Sequence, residues 1–133
     1  MGSTAQTEVD GTLVVDIDGT LCDIKLPNQS YREVEPRHAM IAKLREYQAR
    51  GYRIVLFTSR NMRTYNNNLG MINKHTAPIL LEWLARWDVP YDEILFGKPW
   101  PRDKGFYVDD RTVRPDEFLS MSEEDIQELL GRT

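Results

Sequence analysis

Leu13, Val14 and Val15 lead into Asp16-Ile17-Asp18-Gly19-Thr20-Leu21, the stretch that most narrows what this chain can fold into. A short apolar run bounded by a turn signal reads as a buried strand. Side chains alternate along an extended chain, so Asp16 and Asp18 leave the strand end on the same side. Gly19 then lets the backbone turn sharply, and Thr20 places a hydroxyl just beyond it. Two converging carboxylates repel each other unless a cation or a proton joins them. A strand running into a polar, Asx-rich turn is the plain alternative for the two aspartates and the glycine. The added Thr20 and Leu21, with the downstream clusters below, argue for a site that binds Mg²⁺ and runs acid/base or nucleophilic chemistry.

The rest of the chain repeats the strand-then-polar-cluster pattern. Residues 22–35 have no helical period and read as an irregular excursion. Pro36 can open a helix with Met40, Ile41, Leu44 and Tyr47 on one face, and Gly51 stops it. Ile54 to Phe57 form a second apolar strand, ending at Thr58, Ser59 and Arg60. Residues 61–75 are polar, with Leu69 and Met71 as interior positions around Gly70. Thr76 and Pro78 start a helix whose Leu80, Trp83, Leu84 and Trp87 face the core. Pro90 ends it, Ile94, Leu95 and Phe96 make a third strand, and Gly97 and Lys98 follow. Phe106, Tyr107 and Val108 predict a fourth strand ending at Asp109 and Asp110. Ser122, Glu123, Glu124 and Asp125 carry a capping-box pattern ahead of a short helix with Ile126, Leu129 and Leu130.

Strands alternating with helices predict an α/β fold with a central parallel sheet covered on both faces. Ligands of such sheets sit beyond the carboxyl ends of the strands, and each polar cluster named here falls at such an end. The expected organisation is a flexible lead-in over residues 1–11 and a single catalytic domain over residues 12–133.

Net charge is -4, which disfavours a nonspecific nucleic-acid binder because phosphate backbones select basic surfaces. One cysteine, Cys22, excludes an intrachain disulfide, and no local partner to activate it as a nucleophile is evident. No stretch has the length to span a bilayer, and the N-terminus lacks a signal pattern, so a cytoplasmic location is expected.

On these residues the chain resembles the haloacid dehalogenase (HAD) superfamily of phosphatases over nearly its whole length. The motifs stand in order: Asp16 to Thr20, Thr58, Lys98, and Asp109 with Asp110. Residues 58–65, 97–100 and 106–111 are similar to the small phosphatases associated with capsular polysaccharide biosynthesis. The resemblance implies a capless, Rossmann-like three-layer fold and Mg²⁺ as cofactor. Asp16 would be the nucleophile carrying an aspartyl-phosphate, and Asp18 the general acid and then base. Mg²⁺ would be held by Asp16, the main-chain carbonyl of Asp18 and Asp109, with Asp110 completing the acidic cluster. Thr58 and Lys98 would hold the phosphoryl oxygens. Only ten residues separate Lys98 from Asp109, so Lys104 stays open as the source of that cation.

The segments after the first and second strands are too short for an independent cap. The site is therefore expected to be open, and a neighbouring subunit of a homo-oligomer could partly cover it. Ser59, Arg60, Asn61, Arg63, Asn67 and His75 are the candidates for reading a substrate: amides suit sugar hydroxyls, and arginines suit a second anionic group. Alternatively these residues form an ordinary solvated loop, and Thr58 with Ser59 a simple cap.

The expected activity is Mg²⁺-dependent hydrolysis of a small phosphorylated metabolite, a sugar phosphate by resemblance to the capsule enzymes. The alternatives are a phosphotransferase or mutase and a noncatalytic sugar-phosphate-binding subunit. A polynucleotide 3′-phosphatase fits the net charge less well.

Overall fold

The computed structural model describes residues 9–132, which excludes most of the lead-in expected over residues 1–11. The chain divides into two compact units, Met1–Trp100 and Pro101–Thr133.

The first unit is built on a parallel sheet of β1 (Thr12–Val15), β2 (Arg53–Thr58) and β3 (Glu93–Phe96), in the spatial order β1-β2-β3. Leu13 pairs with Ile54, and Leu56 with Ile94. Because all three strands run the same way, their carboxyl ends share one edge. Helices flank the sheet, as the alternating pattern predicts, and neither segment following β1 or β2 builds a separate cap.

Helix α1 (His38–Ala49) turns Met40, Ile41, Leu44 and Tyr47 inward, the face read from the sequence. Arg37 stands at its N-cap position, and Gly51, with φ of +98°, takes the left-handed turn past its end. Ile54 and Leu56 of β2 are fully buried, and Ile17, Leu21, Ile72, Leu80 and Trp83 complete the core around them.

The polar stretch ahead of the next helix is more ordered than its sequence suggests. Helix begins at α2 (Leu69–Met71), where the Asn68 side chain caps the Met71 N–H, and runs through a π-helical stretch, Ile72–Thr76, into α3 (Ala77–Arg86). Pro78 lacks an N–H and its ring crowds the carbonyl four residues back. The turn before it widens, so that the Ala77 N–H reaches back five residues to Ile72 O. Leu80, Trp83 and Leu84 are buried as expected, whereas Trp87 stands at the C-cap. Leu69 and Met71, read as interior, are exposed.

The second unit contains α4 (Pro115–Ser120) and α5 (Glu123–Leu129). Ser122 caps α5 by accepting the Asp125 N–H at 3.1 Å, which bears out the capping pattern. The helix α4 was not anticipated; Pro115 opens it, and Glu117 Oε1 accepts the Arg114 N–H at 2.8 Å. The fourth strand expected over residues 106–110 does not form: Phe106 and Val108 are 78% and 89% exposed. Three apolar residues become a strand only where a sheet edge takes their N–H and C=O groups. Here the segment ends in an Asx turn instead, with Asp109 Oδ1 accepting the Arg111 N–H at 2.9 Å.

Candidate active site

Ile17 organises the end of β1. Its fully buried side chain anchors the chain in the core, and alternation sends Asp16 and Asp18 the other way. Its carbonyl accepts the N–H groups of Thr20, Leu21 and Cys22 at 3.1, 2.8 and 3.2 Å. Gly19 makes the turn at φ +89°, a conformation that L side chains adopt only under strain. Arg37 braces this turn from the start of α1. Its Nη1 donates to Gly19 O at 3.0 Å, and its Nε and Nη2 donate to Asp23 Oδ1 at 3.0 and 2.8 Å.

The two aspartates have different surroundings. Asp16 Oδ1 lies 3.4 Å from Lys98 Nζ, and Asp16 Oδ2 accepts from Thr20 Oγ1 at 3.3 Å. Burial raises the Asp16 carboxyl above the usual carboxylate range, against the opposing pull of the Lys98 ammonium. Asp18 is gripped by a fork: Arg60 Nε donates to Oδ2 at 3.1 Å and Nη2 to Oδ1 at 2.8 Å. The Arg60 side chain is 2% exposed, and its guanidinium lies 4.1 Å from the centre of the Tyr31 ring. Burial first, and then the Asp18 charge, push the Tyr31 hydroxyl above the usual phenol range.

Thr58 ends β2 almost completely buried, and its Oγ1 accepts the Arg60 N–H at 3.0 Å. That is the local capping bond weighed as the plain alternative, although an accepting hydroxyl still has its own proton to donate. Thr58 O accepts the Lys98 N–H at 3.0 Å, which ties the ends of β2 and β3 together. The sheet edge therefore brings Asp16, Asp18, Thr58, Arg60 and Lys98 into one bonded cluster.

Other candidates stand outside that network. Asn61 Oδ1 accepts from Thr76 Oγ1 at 2.7 Å, holding the loop to the π-helical stretch. Ser59 is half-buried after β2. Arg63 is exposed, with its guanidinium 5.5 Å from the Trp100 ring, and exposed His75 stacks on Tyr65. Arg60, expected among the substrate readers, is instead buried against Asp18. Asp109 and Asp110 are exposed residues of the second unit, as is Lys104. Tyr31 and Arg37 had no motif to betray them; both come from the stretch ahead of α1 that shows no periodicity.

Mg²⁺, implied by the family resemblance, finds suitable donors at the end of β1. The Asp16 carboxylate is part exposed and its contacts are long, which leaves lone pairs for a hard cation. Both Asp18 side-chain oxygens accept from Arg60, and its main-chain carbonyl is a further oxygen it can offer. Mg²⁺ commonly takes only one or two carboxylates and keeps several waters. Among the described residues no three His, Cys, Asp or Glu side chains gather into a closed metal centre.

Cys22 packs beneath the site, fully buried, with its Sγ 3.7 Å from Ile17 O and 3.8 Å from Asp18 Oδ1. Burial, reinforced by the Asp18 charge, pushes its thiol up to about 12. Both effects disfavour the thiolate.

Fold and site together define a small, capless α/β protein with paired aspartates at the carboxyl edge of a parallel sheet. The chain belongs to the same family as a structural-genomics target protein from Vibrio cholerae, to whose crystal structure it is 53% identical. That match covers 92% of this chain and 98% of the Vibrio chain, with a TM-score of 0.87. Two structures of the Pnkp1/Rnl/Hen1 RNA repair complex also match. They are 20% and 19% identical, with TM-scores of 0.44 and 0.45, and cover 89% and 90% of this chain against 36% and 39% of theirs. No protein-family model and no curated protein matches the chain. Among the described residues, no helix is long and apolar enough to cross a membrane.

Proposed function

We propose that this protein is a HAD-type, Mg²⁺-dependent phosphomonoesterase acting on a small phosphorylated metabolite, with a sugar phosphate as the substrate class. The observation that carries the reading is the division of labour between Asp16 and Asp18. Both are part exposed, but one stands beside a lysine and the other is held in place by an arginine fork. A nucleophile must be reachable, and a proton carrier must be held within reach of the oxygen it serves.

In the first half-reaction, Asp16 attacks phosphorus and the bond to the leaving oxygen breaks. Asp18 gives that oxygen its proton, so the alcohol departs neutral. In the second, water attacks the aspartyl-phosphate, Asp18 takes the water's proton, and phosphate leaves with Asp16 regenerated. The Lys98 ammonium, 3.4 Å from Asp16, is placed to attract the phosphoryl oxygens and to limit repulsion between them and Asp16. The Thr58 hydroxyl has a proton to add there. Mg²⁺, bound through Asp16 and the Asp18 carbonyl, would supply charge neutralisation for the transferring phosphoryl group. Arg63 and Asn61 remain the candidates for reading the alcohol portion, and a neighbouring subunit is the candidate cover for the open site.

The test is phosphate release from a panel of sugar phosphates, nucleotides and a 3′-phosphorylated oligonucleotide, with and without Mg²⁺. Turnover concentrated on sugar phosphates and dependent on Mg²⁺ supports the reading. Turnover of the oligonucleotide alone replaces the substrate class, and Mg²⁺ binding without turnover of any compound argues for transfer or binding instead.

A further inference from the structure

Arg60 spends its hydrogen bonds unevenly. Nε and Nη2 both go to Asp18, while Nη1 is buried with no hydrogen-bond partner. Leaving a buried donor unmet is costly, so the guanidinium is not placed to maximise its own bonding. It is placed to face Asp18 edge-on, and two structural devices keep it there. The Thr58 hydroxyl fixes the Arg60 main chain at 3.0 Å, and the Tyr31 ring lies 4.1 Å from the guanidinium carbon. Tyr31 comes from the irregular segment after the Gly19 turn, which Trp83 ties to α3 through a 2.7 Å bond from Nε1 to Val34 O. A two-toothed fork fixes both position and plane of a carboxylate, which a point charge cannot do.

We propose that Arg60 is a positioning residue that aims the Asp18 carboxyl at the leaving oxygen, and that Tyr31 holds Arg60 in the plane this requires. The inference rests on the phosphatase reading and deepens it. A purely structural ion pair would support the fold without selecting among leaving groups. In kcat/KM, which reports the first half-reaction, a residue that positions the acid matters only where the leaving oxygen needs a proton.

The experiment compares kcat/KM for an alkyl phosphate with that for 2,4-dinitrophenyl phosphate, whose leaving group departs without protonation. Arg60→Lys keeps the charge and loses the fork. It is expected to lower kcat/KM for the alkyl phosphate by roughly 10- to 100-fold, the scale of an ångström-sized misplacement, and to leave the dinitrophenyl ester within about threefold. Because Arg60 is buried, Tyr31→Leu carries the same test from a half-buried position, with a smaller loss in the same direction. Tyr31→Phe, which retains the ring, is expected to restore the wild-type ratio. Equal losses on both substrates, or a Tyr31→Phe protein indistinguishable from Tyr31→Leu, overturn the positioning role and leave the phosphatase reading standing. A wild-type protein that hydrolyses neither ester overturns both.

Discussion

Arg60 and Asp18 lie 42 positions apart in the chain, yet the guanidinium of one meets both carboxylate oxygens of the other, at 2.8 and 3.1 Å. The pair joins the end of β2 to the turn after β1, so it is a fold contact as well as a site contact. Removing one partner strands a buried charge. Asp18→Ala leaves the Arg60 guanidinium without a counter-ion and is expected to cost about 3 kcal/mol, the low end for a broken buried pair, because Asp18 is itself partly solvated. Urea denaturation checks this: the midpoint falls while the slope is retained.

Lys98→Met tests the other half of the site. The ammonium 3.4 Å from Asp16 is a fixed positive charge where the phosphoryl group would sit. On the proposed mechanism its loss lowers kcat by roughly 10²- to 10³-fold, the cost of deleting one preorganised charge-stabilising group. Steady-state phosphate release reads the effect, with circular dichroism confirming that the fold survives.

Cys22 supplies a test of burial beneath the site. With its thiol pushed up to about 12, almost no thiolate exists near pH 8, and the sulfur is enclosed as well. Iodoacetamide is expected to leave the native protein unmodified over hours and to alkylate it promptly in guanidinium chloride. Mass spectrometry of the two samples distinguishes the states.

Glu33 gives a pH dependence of definite sign. Its carboxylate accepts the Ser30 N–H at 2.8 Å, which holds its pKa below the ordinary range although the side chain is in solvent. A depressed folded pKa means stabilisation that is present above the unfolded value and is lost as pH falls through the folded one. The Ser30 amide resonance is therefore expected to move in an acid titration with a midpoint below that of an unrestrained glutamate. Glu33→Gln should abolish that movement.

The sequence made the strands and α1 legible because their signals are local and redundant. Ile54 to Phe57 is apolar throughout, and Met40, Ile41, Leu44 and Tyr47 repeat at helical spacing. The helix from Leu69 was missed because only Ile72 and Thr76 of its first two turns are buried, too few to show a period. Phe106, Tyr107 and Val108 misled for the opposite reason: composition suggests a strand, but pairing depends on a partner edge that no local pattern specifies. The placement of Asp16, Asp18 and Lys98 just past strand ends was legible. The grip of Arg60 on Asp18 was not, because a surface loop and a buried counter-ion have the same sequence signature until the strands are brought side by side.

In the proposed mechanism Asp16 carries the phosphoryl group. The direct measurement is to quench the protein with acid during turnover of a phosphomonoester it hydrolyses, digest it and map the bound phosphoryl by mass spectrometry. A phosphorylated peptide with the modification on Asp16, dependent on Mg²⁺ and absent from Asp16→Asn, is expected. Turnover with no phosphoryl group on Asp16, or undiminished turnover by Asp16→Asn, would contradict it.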